Sequence, residues 1–113
     1  MGVVKKAGVR RGDIFLVNLS PTVGGDIQKT RPCVVVSPDE LNAHLRTYII
    51  ALMTTGGHAY PFRVSCRFRG RTGRVVLDQI RTVDRERLVR RLGRLSANAL
   101  GKTLGVLQEM FSP

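Results

Sequence analysis

The chain has 113 residues, 42% of them hydrophobic, which suits one domain with a modest core and leaves no room for a second. Its formal net charge is +11, from 19 Lys and Arg against 8 Asp and Glu, and most of the cations are arginine. That balance points to an anionic partner, nucleic acid above all, because a guanidinium fork matches phosphate oxygens two at a time. No apolar run approaches the ~20 residues of a membrane span, and the basic N-terminus has no apolar signal segment. Lys6 stands where a myristoylation site needs Ser or Thr. A soluble cytoplasmic protein is expected, with no membrane partner. The small size also favours a homodimer, which would bury one more apolar face.

Residues 1–11 read as a flexible basic arm, and residues 12–113 as the single domain. Asp13 to Leu19 is short, apolar and partly β-branched, so it reads as a strand. Ser20 to Asp26 stops it with turn residues. Pro32 to Val36 reads as a second, more buried strand, with Pro32 at the position where a missing N–H is tolerated. Ser37-Pro38-Asp39-Glu40 is a helix start, Ser37 as cap and Pro38 in the first turn, for a short helix over 38–44. Thr47 to Met53 is a third strand that runs into a polar loop, Thr54 to His58. Pro61 to Phe68 alternates apolar and polar, as a half-buried strand does. Gly70 to Gly73 turns, Arg74 to Ile80 is a fifth strand, and residues 88–92 add a short sixth. Ser96 caps a terminal helix over 97–110, whose Ala99, Leu100, Leu104, Leu107 and Phe111 recur near helical spacing. The outline is mainly β with α. Five to six strands, a short inserted helix and a C-terminal helix favour a small, strongly curved sheet or barrel.

Most enzyme signatures are absent: there is no Walker loop, GxGxxG, GxSxG or HExxH. Cys33 and Cys66 lie in apolar strand segments, outside any CxxC or Cys/His cluster, and read as small buried hydrophobes. No metal and no cofactor are implied. His44 falls inside the short helix and reads as a surface histidine. His58 lies in a loop, where it can touch a substrate. Arg31 is the stronger candidate. It sits where a Gly-rich loop meets a buried strand, and Pro32 restricts it to extended backbone angles that fix its direction. Thr54 and Thr55 end another strand. If the two strands pair, an arginine and two hydroxyls share one pocket. The basic residues from Arg63 to Arg94 are expected to grip phosphates, about half of them as bystanders. Tyr48 and Tyr60 are candidates to stack on bases, whereas Phe15 and Phe62 are more at home in the core.

The ordered set Arg11-Gly12-Asp13-Ile14, Pro21-Thr22, Arg31-Pro32, Ser37-Pro38, Thr54-Thr55, Tyr60-Pro61-Phe62 and Asp78-Gln79-Ile80-Arg81-Thr82 resembles the MazF/PemK-type toxins, from about Arg11 to the terminal helix. The resemblance implies an SH3-like barrel and a homodimer. It also implies metal-independent, sequence-selective endoribonuclease cleavage of single-stranded RNA, held in check by a cognate antitoxin. By position, Arg31 and Thr54 match the catalytic pair, with Thr55 as a second donor. Asp26 falls where many members have Glu, and Asp78 and Gln79 match a motif whose Asp is catalytic in some members. Those members carry an arginine two residues before that Asp, where this chain has Val76. Gln28, Lys29, His58, Tyr60, Gln79 and Arg81 are then RNA-binding candidates. The implied step is attack of the 2′-OH on its own 3′ phosphate, giving a 2′,3′-cyclic phosphate and a 5′-OH. Arg31 suits phosphate stabilisation, because a guanidinium is a poor base. Asp26, His58, Asp78 or water is left to take the proton. An acidic antitoxin segment over the RNA groove makes electrostatic sense. Two alternatives share the charge: a non-catalytic nucleic-acid-binding barrel, and a topoisomerase-poisoning toxin on the same fold.

Overall fold

The computed structural model describes residues 8–21, 29–55 and 60–113. Six strands form one antiparallel sheet: β1 (Asp13–Asn18), β2 (Thr30–Val35), β3 (Thr47–Thr55), β4 (Arg63–Phe68), β5 (Arg71–Asp84) and β6 (Leu88–Arg94). Their order across the sheet is β4-β5-β3-β2-β1-β6. Among the described residues two helices, α1 (Asp39–His44) and α2 (Ala97–Met110), complete the fold with a 3-10 turn at Arg85–Arg87. Among the described residues no helix is long and apolar enough to cross a membrane. Of the arm expected over residues 1–11, residues 1–7 lie outside the described residues. Val9 is packed in the core, and the Arg11 side chain donates to the Val36 carbonyl at 2.9 Å.

The central strands read as continuous apolar runs because both of their faces are buried. Ile14, Val34, Ala51 and Met53 face one core, which Val64, Cys66, Val75 and Leu77 complete and α2 covers with Leu100, Val106 and Leu107. Their neighbours Phe15, Cys33, Val35 and Ile50 face a second core with Tyr48, Val83 and Leu88. The edge strand β4 alternates buried and exposed residues instead.

The sheet curls without closing into a hydrogen-bonded ring. Its edge strands β4 and β6 meet through side chains: the Phe68 ring fills the space over Gly93, where a Cβ would sit 2.9 Å from it. Arg69 adds a bond to the Leu92 carbonyl at 3.0 Å. The other expectations need small corrections. Ser37 does not cap α1, whose N-cap is Pro38. Its hydroxyl donates to Asn42 Oδ1 of the same helix at 2.6 Å and accepts from the Ile49 amide of β3 at 3.1 Å, so these partners take the place of a cap bond. Ser96 does cap α2, through the Ala99 amide. Thr54 and Thr55 are the last residues of β3 and not part of the following loop. β5 is far longer than expected, because it pairs with β3 at both ends around an offset at Leu77, Asp78 and Gln79.

Candidate functional site

The strand pairing builds a pocket at one end of the sheet. β2 pairs with β3 through Cys33 opposite Leu52 and Val34 opposite Ala51. Continued two residues further, that register sets Pro32 beside Met53 and Arg31 beside Thr54. These four residues, with Thr55, line one side of a pocket of about 270 Å³. The β4–β5 hairpin supplies the other side through Phe68, Arg69, Arg71 and Gly73. Thr55 pairs with Gly73 and Thr54 with Arg74 across β3 and β5. Gly73 is required there, since a Cβ would lie 2.5 Å from the Thr54 carbonyl oxygen. Its bare backbone also leaves the pocket open beside Thr55.

The pocket therefore has an apolar floor, two hydroxyls and three guanidiniums, and no carboxylate among its described lining residues. Arg69 is held by the Leu92 carbonyl and lies 5.4 Å from the centre of the Phe68 ring. Arg31 and Arg71 differ: among the described residues, neither side chain has a hydrogen-bond or ion-pair partner. Unpaired guanidiniums beside hydroxyl donors form a receptor for an oxyanion such as a phosphate. Nearby, burial pushes the Cys33 thiol up to about 12, and the charges of Arg81 and Arg31 only partly offset that. The thiol is thus inert, and both guanidiniums lie within electrostatic reach of one point. Burial raises the Cys66 thiol as well.

Asp78 belongs to a different cleft, of about 490 Å³, with Tyr60, Pro61, Phe62 and Arg63. Arg63 bonds both Asp78 carboxylate oxygens, at 3.1 and 3.2 Å, and stacks 4.8 Å from the centre of the Tyr60 ring. The Arg63 hydrogen bond holds the Asp78 carboxyl below its ordinary range. Val76 is buried, so the arginine beside this aspartate comes from the neighbouring strand instead of from two residues earlier. Tyr60 is 52% exposed. Phe62 is also exposed, with a φ of 65°, and not in the core; Tyr48 is the buried ring and cannot stack on a base. Lys29, Gln79 and Arg81 are exposed and outside the pocket lining. Asp26, Gln28 and His58 lie outside the described residues. The sequence reading did not place Met53, Phe68, Arg69, Arg71 and Gly73 in the pocket, although Arg69 and Arg71 belong to the basic run expected to grip phosphates. Their signal was the interleaving of arginine with phenylalanine from Arg67 to Arg71.

Many of the remaining arginines bond internally. Arg91 and Arg94 bond the fully buried Asp13 carboxylate at 2.7 Å each. Arg87 donates to the Asn18 and Ser20 carbonyls, and Arg67 to Thr72 Oγ1 and the Gly70 carbonyl.

Residues 10–111 match the family described as the PemK-like, MazF-like toxin of type II toxin–antitoxin systems. The chain is 35% identical to the endoribonuclease PemK of Escherichia coli, over 97% of this chain and 87% of that one. It is 33% identical to the endoribonuclease MazF of Staphylococcus epidermidis, over 87% of this chain and 92% of that one. A crystal structure of MazE–MazF from Deinococcus radiodurans superposes with a TM-score of 0.75 at 27% identity, covering 90% of this chain and 94% of the matched one. The chain belongs to the PemK-like, MazF-like toxin family of type II toxin–antitoxin systems.

Proposed function

We propose that this protein is the endoribonuclease of a toxin–antitoxin pair and cuts single-stranded RNA at the Arg31–Thr54 pocket. One observation carries the reading: the Arg31 guanidinium, unpaired among the described residues, shares a small pocket with the Thr54 and Thr55 hydroxyls. Its relatives' names as endoribonucleases support the activity. RNA brings its own nucleophile. The 2′-OH attacks the adjacent phosphorus, its proton leaves to a base, and the P–O5′ bond breaks. The leaving oxygen takes a proton, so the products are a 2′,3′-cyclic phosphate and a 5′-OH. The protein must align the attack and stabilise the charge that builds on phosphorus, which asks for no metal and no cofactor. Arg31 holds the phosphoryl oxygens as a permanent cation. Thr54 donates a further hydrogen bond to them, with Thr55 beside it.

Asp78 is held as a carboxylate by Arg63, which suits a hydrogen-bond acceptor for RNA better than a proton shuttle near neutral pH. Asp26 and His58 are the proposed sources of the base. Tyr60 offers a half-exposed ring for stacking, with Gln28, Lys29, Gln79 and Arg81 as further RNA contacts. The partner proposed for the same basic surface is the antitoxin, through an acidic segment, in line with the MazE–MazF neighbour. Homodimer formation, a cytoplasmic location and a single domain over residues 12–113 belong to this reading.

The test is to incubate the purified protein with single-stranded RNA in EDTA. Discrete cuts with cyclic-phosphate ends, lost in Arg31→Ala, are the expected result. RNA binding without cuts, or inhibited DNA supercoiling without either, would instead favour a binding module or a topoisomerase poison.

A further inference from the structure

We propose that Arg71 is a second phosphate ligand, holding a backbone phosphate that flanks the scissile one while Arg31 holds the scissile phosphate itself. The inference rests on the nuclease reading and adds a residue that its catalytic pair does not contain. Arg71 opens β5 directly after the tight turn Phe68-Arg69-Gly70-Arg71, whose central residues both have positive φ, 54° and 76°. That two-residue geometry fixes the hairpin register. It sets Arg71 opposite Phe68, on the face it shares with Gly73 two residues on. Because Gly73 has no side chain, nothing on that face blocks the guanidinium from the space beside Thr55. The hairpin is braced as well. Arg67 bonds Thr72 and the Gly70 carbonyl on one side, and Arg69 ties the turn to β6 through Leu92. Arg69 is therefore a positioning residue, spent on the scaffold, and Arg71 is the cation left over.

Charge argues the same way. Arg31 and Arg71 face one pocket of about 270 Å³, unpaired among the described residues, with no carboxylate lining it. Two like charges held around a small, half-apolar space repel. A chain of phosphates turns that cost into a gain, one guanidinium to each phosphate. A single phosphate between the two would leave less for each fork to bind.

The experiment uses the full-length protein and an RNA oligonucleotide that the wild type cuts. Each phosphate near the cut is replaced in turn by an uncharged methylphosphonate, and KM and kcat are read across a salt series. Arg71→Ala should raise KM about tenfold with kcat nearly kept, and should lower the slope of log KM against log salt by about 0.7. One flanking methylphosphonate should cost the wild type that same factor and cost Arg71→Ala nothing further. Arg71→Lys should keep the slope and recover part of the KM. Lys102→Ala, which removes the same charge from α2, should change neither. If every methylphosphonate costs wild type and Arg71→Ala alike, the inference is overturned and the nuclease reading stands. It is equally overturned if Arg71→Ala leaves RNA kinetics alone and weakens only the binding of an acidic antitoxin peptide. A wild type that cuts no RNA overturns both.

Discussion

Arginine has opposite fates at the β1–β6 seam and at the pocket. At the seam, Arg91 and Arg94 close on Asp13, which is fully buried and also accepts from the Arg10 amide at 2.8 Å. At the pocket, Arg31 and Arg71 have no partner among the described residues. The first group ties a strand to its neighbour. The second waits for an anion. A net charge of +11 is therefore not a measure of the proposed RNA-binding surface, because part of it is consumed by the fold.

That contrast can be broken by substitution, and the largest effect on stability should be at Asp13. Asp13→Ala removes the buried acceptor of the bonds from Arg91, Arg94 and the Arg10 amide and should cost about 3–5 kcal/mol, read as a fall in denaturant midpoint. Arg31→Ala should do the reverse, lowering the cleavage rate by about 10²–10³ while the midpoint hardly moves. An Arg31 variant that unfolds would erase the distinction. Gly73→Ala tests the pocket wall between these extremes. Its methyl group meets the Thr54 carbonyl, so it should cost about 1–3 kcal/mol and slow cleavage together.

Smaller effects sharpen the picture. Asp78 has its folded-state pKa depressed, chiefly by the Arg63 hydrogen bond. Its stabilisation is thus complete above the ordinary carboxylate pKa and is lost as pH falls through the folded value. The gap in melting temperature between wild type and Arg63→Ala should be visible at pH 7 and narrow at strongly acidic pH, where only the Tyr60 stacking is left. A gap that widens in acid would refute the assignment. The smallest signal is at Cys33, whose thiol sits at about 12. A disulfide reagent at pH 8 should leave it unlabelled until the protein is denatured.

The sequence spoke clearly where the structure is local. Alternation in β4, the runs in β2 and β3 and the Ser96 cap each follow from neighbouring residues. Arg31, Thr54 and Thr55 were legible because all three sit at strand ends, and only one pairing was needed to join them. What stayed hidden depends on residues far apart in the chain. Asp13 meets Arg91 across 78 positions, and Arg63 meets Asp78 across 15, on another strand. Arg69 and Arg71 reach the pocket only because the start of β5 pairs with both β3 and β4, Gly73 lying between Thr55 and Cys66. Ser37 misled for a nearer reason: its hydroxyl bonds the Asn42 side chain of α1 and the Ile49 amide of β3 in place of a first-turn amide.

The division of labour among the arginines is tested most directly by single-turnover cleavage of one RNA by Arg31→Ala and Arg91→Ala, each at a temperature where it is fully folded. Arg31→Ala should lose about 10²–10³ in rate, and Arg91→Ala, though less stable, should cut at close to the wild-type rate. Equal losses in the two variants would contradict that division.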